Sequence, residues 1–133
     1  MLYHIEIYMP SVIKAGAAKL MSKAYRARFS RHLKDWLSGN NDESSLRRYK
    51  HRCTESDIRA ALLRISRVKP EPFEVEIDND GNVIKYAVRQ PLDNDNDITV
   101  VVDVRGVVRT AWVNSNEDIH RTLNPANYAS PEK

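Results

Sequence analysis

Four histidines, His4, His32, His51 and His120, carry most of the acid–base chemistry that this 133-residue chain offers. Histidine titrates near neutrality and can take or give a proton. Two of the four stand beside cations: His51 follows Arg48 and precedes Arg52, and His120 opens the run His120-Arg121-Thr122. A third group is Arg109-Thr110, with Trp112 and Asn114 beyond it, and His32 is a further candidate. These residue types suit cleavage of a phosphodiester through a cyclic phosphate. That reaction needs a base for the 2′-hydroxyl, an acid for the leaving oxygen and cations for the phosphorane. Arginine supplies a fixed fork of donors for phosphate oxygens. Each group also has a plain structural use. A histidine can simply be solvated, Thr110 can serve β-propensity alone, and Trp112 can be core instead of a base-stacking platform.

Other chemistries find less support. There is no HxxxH, no CxxC and no pair of acids at ligand spacing, and Gly16, Gly39, Gly81 and Gly106 are scattered, forming no phosphate loop. Neither a metal nor a cofactor is expected. The single Cys53 cannot form an internal bridge, and its readings are a nucleophile beside Arg52 or a small half-buried side chain.

The charge is uneven. From Lys14 to Lys69 there are 15 Lys or Arg against 5 Asp or Glu, and from Glu71 to Asp118 there are 11 acids against 4 bases. The basic half could meet a phosphate backbone or present solvated helix faces. No run approaches the roughly 20 apolar residues of a membrane span. The start MLYHIEIYMP does not read as a signal peptide, so the expectation is a complete, cytoplasmic protein with no membrane partner.

The elements that position these residues follow from periodicity. Leu2 to Met9 alternates as a strand and Pro10 ends it, with Ser11 as a helix cap. Val12 to Leu37 reads as one long basic amphipathic helix whose two apolar stripes are out of phase, so that it bends or breaks near Arg28. Gly16 inside it costs about 1 kcal/mol against alanine. Thr54-Glu55-Ser56-Asp57 is a capping box for a helix that stops before Pro70. Phe73 to Ile77, a turn at Asp80-Gly81 and Val83 to Val88 form a hairpin. Ile98 to Val102 is a central strand, Val107 to Val113 is its partner, and residues 114–133 form a surface tail. The whole is one α+β domain over residues 1–133. Its N-terminal strand and helices pack on one face of an antiparallel sheet of about four or five strands. Alternation puts Arg109 and Thr110 on opposite faces unless a bulge intervenes.

Thr99-Val100-Val101-Val102-Asp103, followed by Gly106-Val107-Val108-Arg109-Thr110-Ala111-Trp112, resembles the closing strands of the barnase/EndoU/colicin/RelE-like ribonuclease superfamily. Members of that superfamily occur in toxin–antitoxin systems, polymorphic toxins and phages. His51-Arg52-Cys53-Thr54-Glu55-Ser56-Asp57-Ile58 is similar to the His-Arg segment through which the preceding helix begins in some of them. The similarity spans roughly residues 46 to 123. It implies a RelE-like fold and a metal-independent endoribonuclease toxin that cleaves RNA by attack of the 2′-hydroxyl. Carried over, it implies His51 or His32 as the histidine, Arg89 and Arg109 as cations and Thr110 as the hydroxyl. His120 stands as an additional catalytic candidate, and Arg48, Arg52, Arg89 and Trp112 as RNA-binding ones. The implied partners are RNA and a cognate antitoxin or host protein. The alternative is a non-catalytic module of the same fold, from a phage or mobile element, that binds RNA or a host protein. The acidic loop Asp93 to Asp97 suits a protein-facing surface.

Overall fold

The computed structural model describes residues 3–5, 11–39, 53–70 and 72–117. Six strands form one sheet: β1 (Tyr3–Ile5), β2 (Arg28–Phe29), β3 (Glu74–Ile77), β4 (Val83–Pro91), β5 (Asn96–Asp103) and β6 (Val107–Ser115). Three helices are described, α1 (Ser11–Met21), α2 (Arg31–Gly39) and α3 (Glu55–Val68), with a 3₁₀ turn at Ala24–Arg26. The strand order is β1-β3-β4-β5-β6-β2. All neighbours are antiparallel except β2, which runs parallel to β6. The α+β class therefore holds, but the sheet is mixed, with a short strand that the periodicity does not announce. No helix among the described residues is long and apolar enough to cross a membrane.

The core lies on one sheet face. Val75, Tyr86, Val88, Ile98, Val100, Val102, Val108 and Ala111 meet Ala17 and Met21 of α1, Leu33 of α2 and Ile58, Ala61, Leu62 and Ile65 of α3. Cys53, only 3% exposed, joins this core, so packing accounts for it. Ile98 to Val102 is buried throughout, as a strand with neighbours on both edges should be. The opposite face carries a smaller cluster of Ala87 and Val101 with Trp112 packed against them. The acids that alternate with the apolar residues of β3 are buried as well: Glu74 and Glu76 are nearly inaccessible, and Glu76 Oε2 lies 3.4 Å from Lys85 Nζ on the paired strand.

Each hairpin turn is held by an aspartate. Asp78 Oδ1 accepts from the N–H groups of Asp80 and Asn82, Asp93 Oδ1 from those of Asp95 and Asn96, and Asp103 Oδ1 from those of Arg105 and Val107. Asn, Asp and Gly recur in turns for this reason, and Gly81 supplies the positive φ of 84° that the first turn requires. At α3 the capping box is present as the sequence predicts. Thr54 Oγ1 accepts from Asp57 N–H at 3.1 Å, and Asp57 Oδ2 accepts from Thr54 N–H at 3.0 Å.

The long helix breaks completely. Ser22 Oγ bonds back to the Lys19 carbonyl as α1 ends, and Ser30 starts α2 afresh. Ser30 Oγ accepts from Leu33 N–H at 3.1 Å and donates to the Arg109 carbonyl at 3.3 Å, while its own N–H donates to the Val108 carbonyl at 2.9 Å. One residue thus caps a helix and fastens an edge strand. Ser30→Ala should lower stability by about 1–2 kcal/mol, the sum of a lost cap and a lost hydrogen bond, and Ser30→Thr should restore most of it in denaturant titration.

The N–H of Asp95, then the side-chain amide of Asn96, hold the Asp93 carboxyl below its ordinary range. A carboxylate depressed by folding contributes stability that is present above its unfolded value of about 3.9 and lost as pH falls through the lower folded one. Carbon-detected NMR should place the Asp93 midpoint below that value. The stability lost in Asp93→Ala should shrink over the same acid range.

Candidate functional site

The break between α1 and α2 creates a groove. Two adjoining hollows of about 610 and 460 Å³ share the wall Arg26, Ala27 and Arg28. Lys19 comes from α1, Lys23 and Arg26 from the connection, Arg28 from β2 and Arg105 from the β5–β6 turn. The second hollow adds Lys34 of α2 and Arg59 of α3. Seven cations thus line the groove, with no acid and no histidine among its described lining residues. Its floor is apolar, made by Leu20, Ala24, Ala27, Val102 and Val104.

Local chemistry explains each position. Lys19 and Lys23 are exposed on the last turn of α1 and just beyond it, on the side away from buried Met21. Arg28 alternates with buried Phe29 on β2, whose strand is held by the Arg28 N–H bond to the Gly106 carbonyl at 3.2 Å. Gly106 reaches φ 82°, which turns the chain so that Arg105 stands at the groove. Gly16 of α1 also lines it. A methyl group there would stand 3.3 Å from the Tyr86 hydroxyl, so glycine at this helical position permits close approach of helix and sheet. Burial pushes the Tyr86 pKa up, leaving a neutral hydroxyl beside α1.

The cations differ in their commitments. Arg59 Nη1 donates to the Ala27 carbonyl at 2.7 Å, its guanidinium lies 4.0 Å above the Phe29 ring, and Glu55 stands 4.0 Å away. It is a brace for the groove. Lys19, Lys23, Arg28, Lys34 and Arg105 make no side-chain hydrogen bond or ion pair with any described residue. Arg26 has a ring neighbour alone, the exposed Tyr25 at 5.7 Å. Six cations facing one space without acids make a strong local positive potential, which salt screens over about 8–10 Å.

The residues singled out by sequence fall elsewhere. His51, Arg48, Arg52 and His120 lie outside the described residues. His32 is exposed on α2 but does not line the groove. It is two residues from Lys34, which a helix turns to nearly opposite sides. Arg89, Thr110 and Trp112 share the sheet face away from the helices, in register with Thr99, Val101 and Thr99 respectively. Arg89 is occupied there: Nε bonds Asp97 at 3.1 Å, Nη2 bonds the Ser115 carbonyl at 3.0 Å, and Phe73 lies under it at 5.2 Å. Arg109 sits at a register shift, since Val101 faces Thr110 while Val102 faces Val108. The bulge that would let Arg109 escape strict alternation is therefore present, and its side chain is exposed. Asp93 and Asp97 of the acidic loop serve the turn and the Arg89 pair, which accounts for them within the fold. Among the described residues, no group of three or more His, Cys, Asp or Glu side chains is placed to hold a metal ion.

Sequence reasoning saw the basic half but not the groove, because Arg105 comes from the acidic half and β2 is two residues long. Comparison with protein-family models, curated proteins and solved structures finds no match to this chain.

The division between brace and free cation is testable by thermal denaturation. Arg59→Gln should cost about 1–2 kcal/mol through the lost charged hydrogen bond and ring contact. Arg105→Gln should change stability by less than about 0.5 kcal/mol.

Proposed function

We propose that this chain is a small RNA-binding module that holds the phosphate backbone along the groove between α1, β2 and the β5–β6 turn. One observation carries this reading: six uncommitted cations from five separate parts of the fold converge on one concave surface, with no acid among its described lining residues. Phosphate contacts of this kind supply most of the affinity of nucleic-acid-binding proteins. The resemblance of the closing strands to RelE-like ribonucleases supports RNA as the polyanion. Cleavage would further need a histidine within hydrogen-bond reach of a groove phosphate, and His32 stands apart from it. The groove's cations support binding of the phosphate backbone, and binding is the function proposed here.

Fluorescence anisotropy with transfer RNA between roughly 50 and 200 mM salt tests this. The logarithm of affinity should fall with the logarithm of salt at a slope of about −4 to −5, as expected for six neutralised phosphates. Arg28→Gln should weaken binding about equally for all sequences and reduce the slope by just under 1. Absence of binding by folded protein, or binding indifferent to salt, would refute the proposal and favour a protein partner. The same incubations in EDTA read cleavage. Intact RNA is expected, whereas fragments ending in 2′,3′-cyclic phosphate would establish the nuclease, and His32→Ala, His51→Ala and His120→Ala would then identify its histidine.

A further inference from the structure

Resting on the RNA-binding reading, we infer that the groove takes RNA as a single strand, its phosphates on the cations and an unpaired base stacked on Tyr25 just outside the groove lining, beside Arg26. The groove is not uniformly ionic. Its cations stand around Leu20, Ala24, Val102 and Val104, and Val104 is 50% exposed although it is a large apolar residue. A duplex turns its base faces inward and offers a protein phosphates, sugars and groove edges, none of which needs an apolar floor. A single strand presents both parts, phosphates for the rim and bare π-faces for apolar or aromatic surface.

Tyr25 supplies the second observation. It lies in the 3₁₀ turn between two lining residues, Ala24 and Arg26, without lining either hollow itself, and the residue is 53% exposed. The Arg26 guanidinium is 5.7 Å from the ring centroid, so a stacking face and a phosphate ligand stand side by side. The neighbouring Ala24 and Ala27 are buried and fix the turn, with the Ala27 N–H bonded to the Ala24 carbonyl at 2.9 Å. The turn thus fixes the backbone of Tyr25 while leaving its side chain exposed.

The test uses the full chain and three probes of equal phosphate number: an unstructured single-stranded RNA, a blunt duplex of half its length drawn from the same sequence, and inorganic polyphosphate. The single strand should bind at least roughly ten-fold tighter than the duplex. Tyr25→Ala should weaken the single strand roughly five- to hundred-fold, the span of one base stacked on an aromatic ring. It should leave polyphosphate binding unchanged, and Tyr25→Trp should retain single-strand affinity. Circular dichroism confirms that each variant is folded, which the exposure of Tyr25 favours. Equal affinity for duplex and single strand, with Tyr25→Ala indifferent, would overturn this inference and leave RNA binding standing. Failure of both RNA probes to bind would overturn the RNA-binding reading as well.

Discussion

Everything at the groove depends on the docking of four residues, Ala27 to Ser30, against the edge of β6. The attachments are few: Arg28 N–H to Gly106, Ser30 N–H to Val108, Ser30 Oγ to Arg109, and Arg59 to the Ala27 carbonyl. Phe29, 6% exposed, adds the apolar anchor, covered by the Arg59 guanidinium. Without these contacts the segment from Ser11 to Gly39 would be free to follow its own periodicity as one helix. With them the chain turns out of α1, lies along the sheet edge and starts again as α2. Lys19 and Lys23 on one side and Lys34 on the other are thereby brought to flank Arg26 and Arg28.

The same accounting explains the other charges. Asp78, Asp93 and Asp103 each accept backbone N–H groups in a turn, Asp97 holds Arg89, and Glu76 faces Lys85. Five described acids of the C-terminal half are thus engaged within the sheet and its turns. Its excess of negative charge is therefore a consequence of hairpin construction more than a surface set out for a partner. Among the described cations of the basic half, Arg59 and Arg64 are tied to backbone carbonyls, the latter by Nη2 to Pro91 at 2.6 Å, and Arg31 meets Asp35 one helical turn on at 4.0 Å.

What could be read in the sequence was whatever has a local signature. The Thr54–Asp57 box, the Asp-Gly turn and the β-branched run of β5 each declare themselves within a few residues. The phase slip between the two apolar stripes near Arg28 also registered as a fault in the helix. Its outcome did not, because a two-residue strand has no period. Ser30 as an N-cap was hidden inside a run that otherwise reads as helix. The parallel pairing of β2 with β6 joins residues about eighty positions apart, and no pattern in either segment specifies the other. The candidate site suffered from the same limit. Histidines drew attention by their chemistry, whereas the groove is made of lysines and arginines that look individually like ordinary surface residues. Only their shared position distinguishes them.

That shared position asks for a partner. A surface that serves solubility alone intersperses both signs, because like charges crowded together repel and destabilise the compact state. This chain shows elsewhere how it neutralises a cation: Arg89 has a carboxylate, a carbonyl and a ring, and Lys85 has a buried glutamate. At the groove Arg59 alone among the described cations has an acid beside it, Glu55 at 4.0 Å, and in the neighbouring β5–β6 turn the Oδ1 of Asp103 is turned to backbone N–H groups. The repulsion is held in place by the hydrogen bonds of Ser30 and Arg59, and a bound anion would relieve it. Because Arg28 belongs to the segment that those attachments hold, and Arg26 adjoins it, an anion bound by the proposed groove would tighten the β2–β6 edge and couple the stability of the fold to its binding.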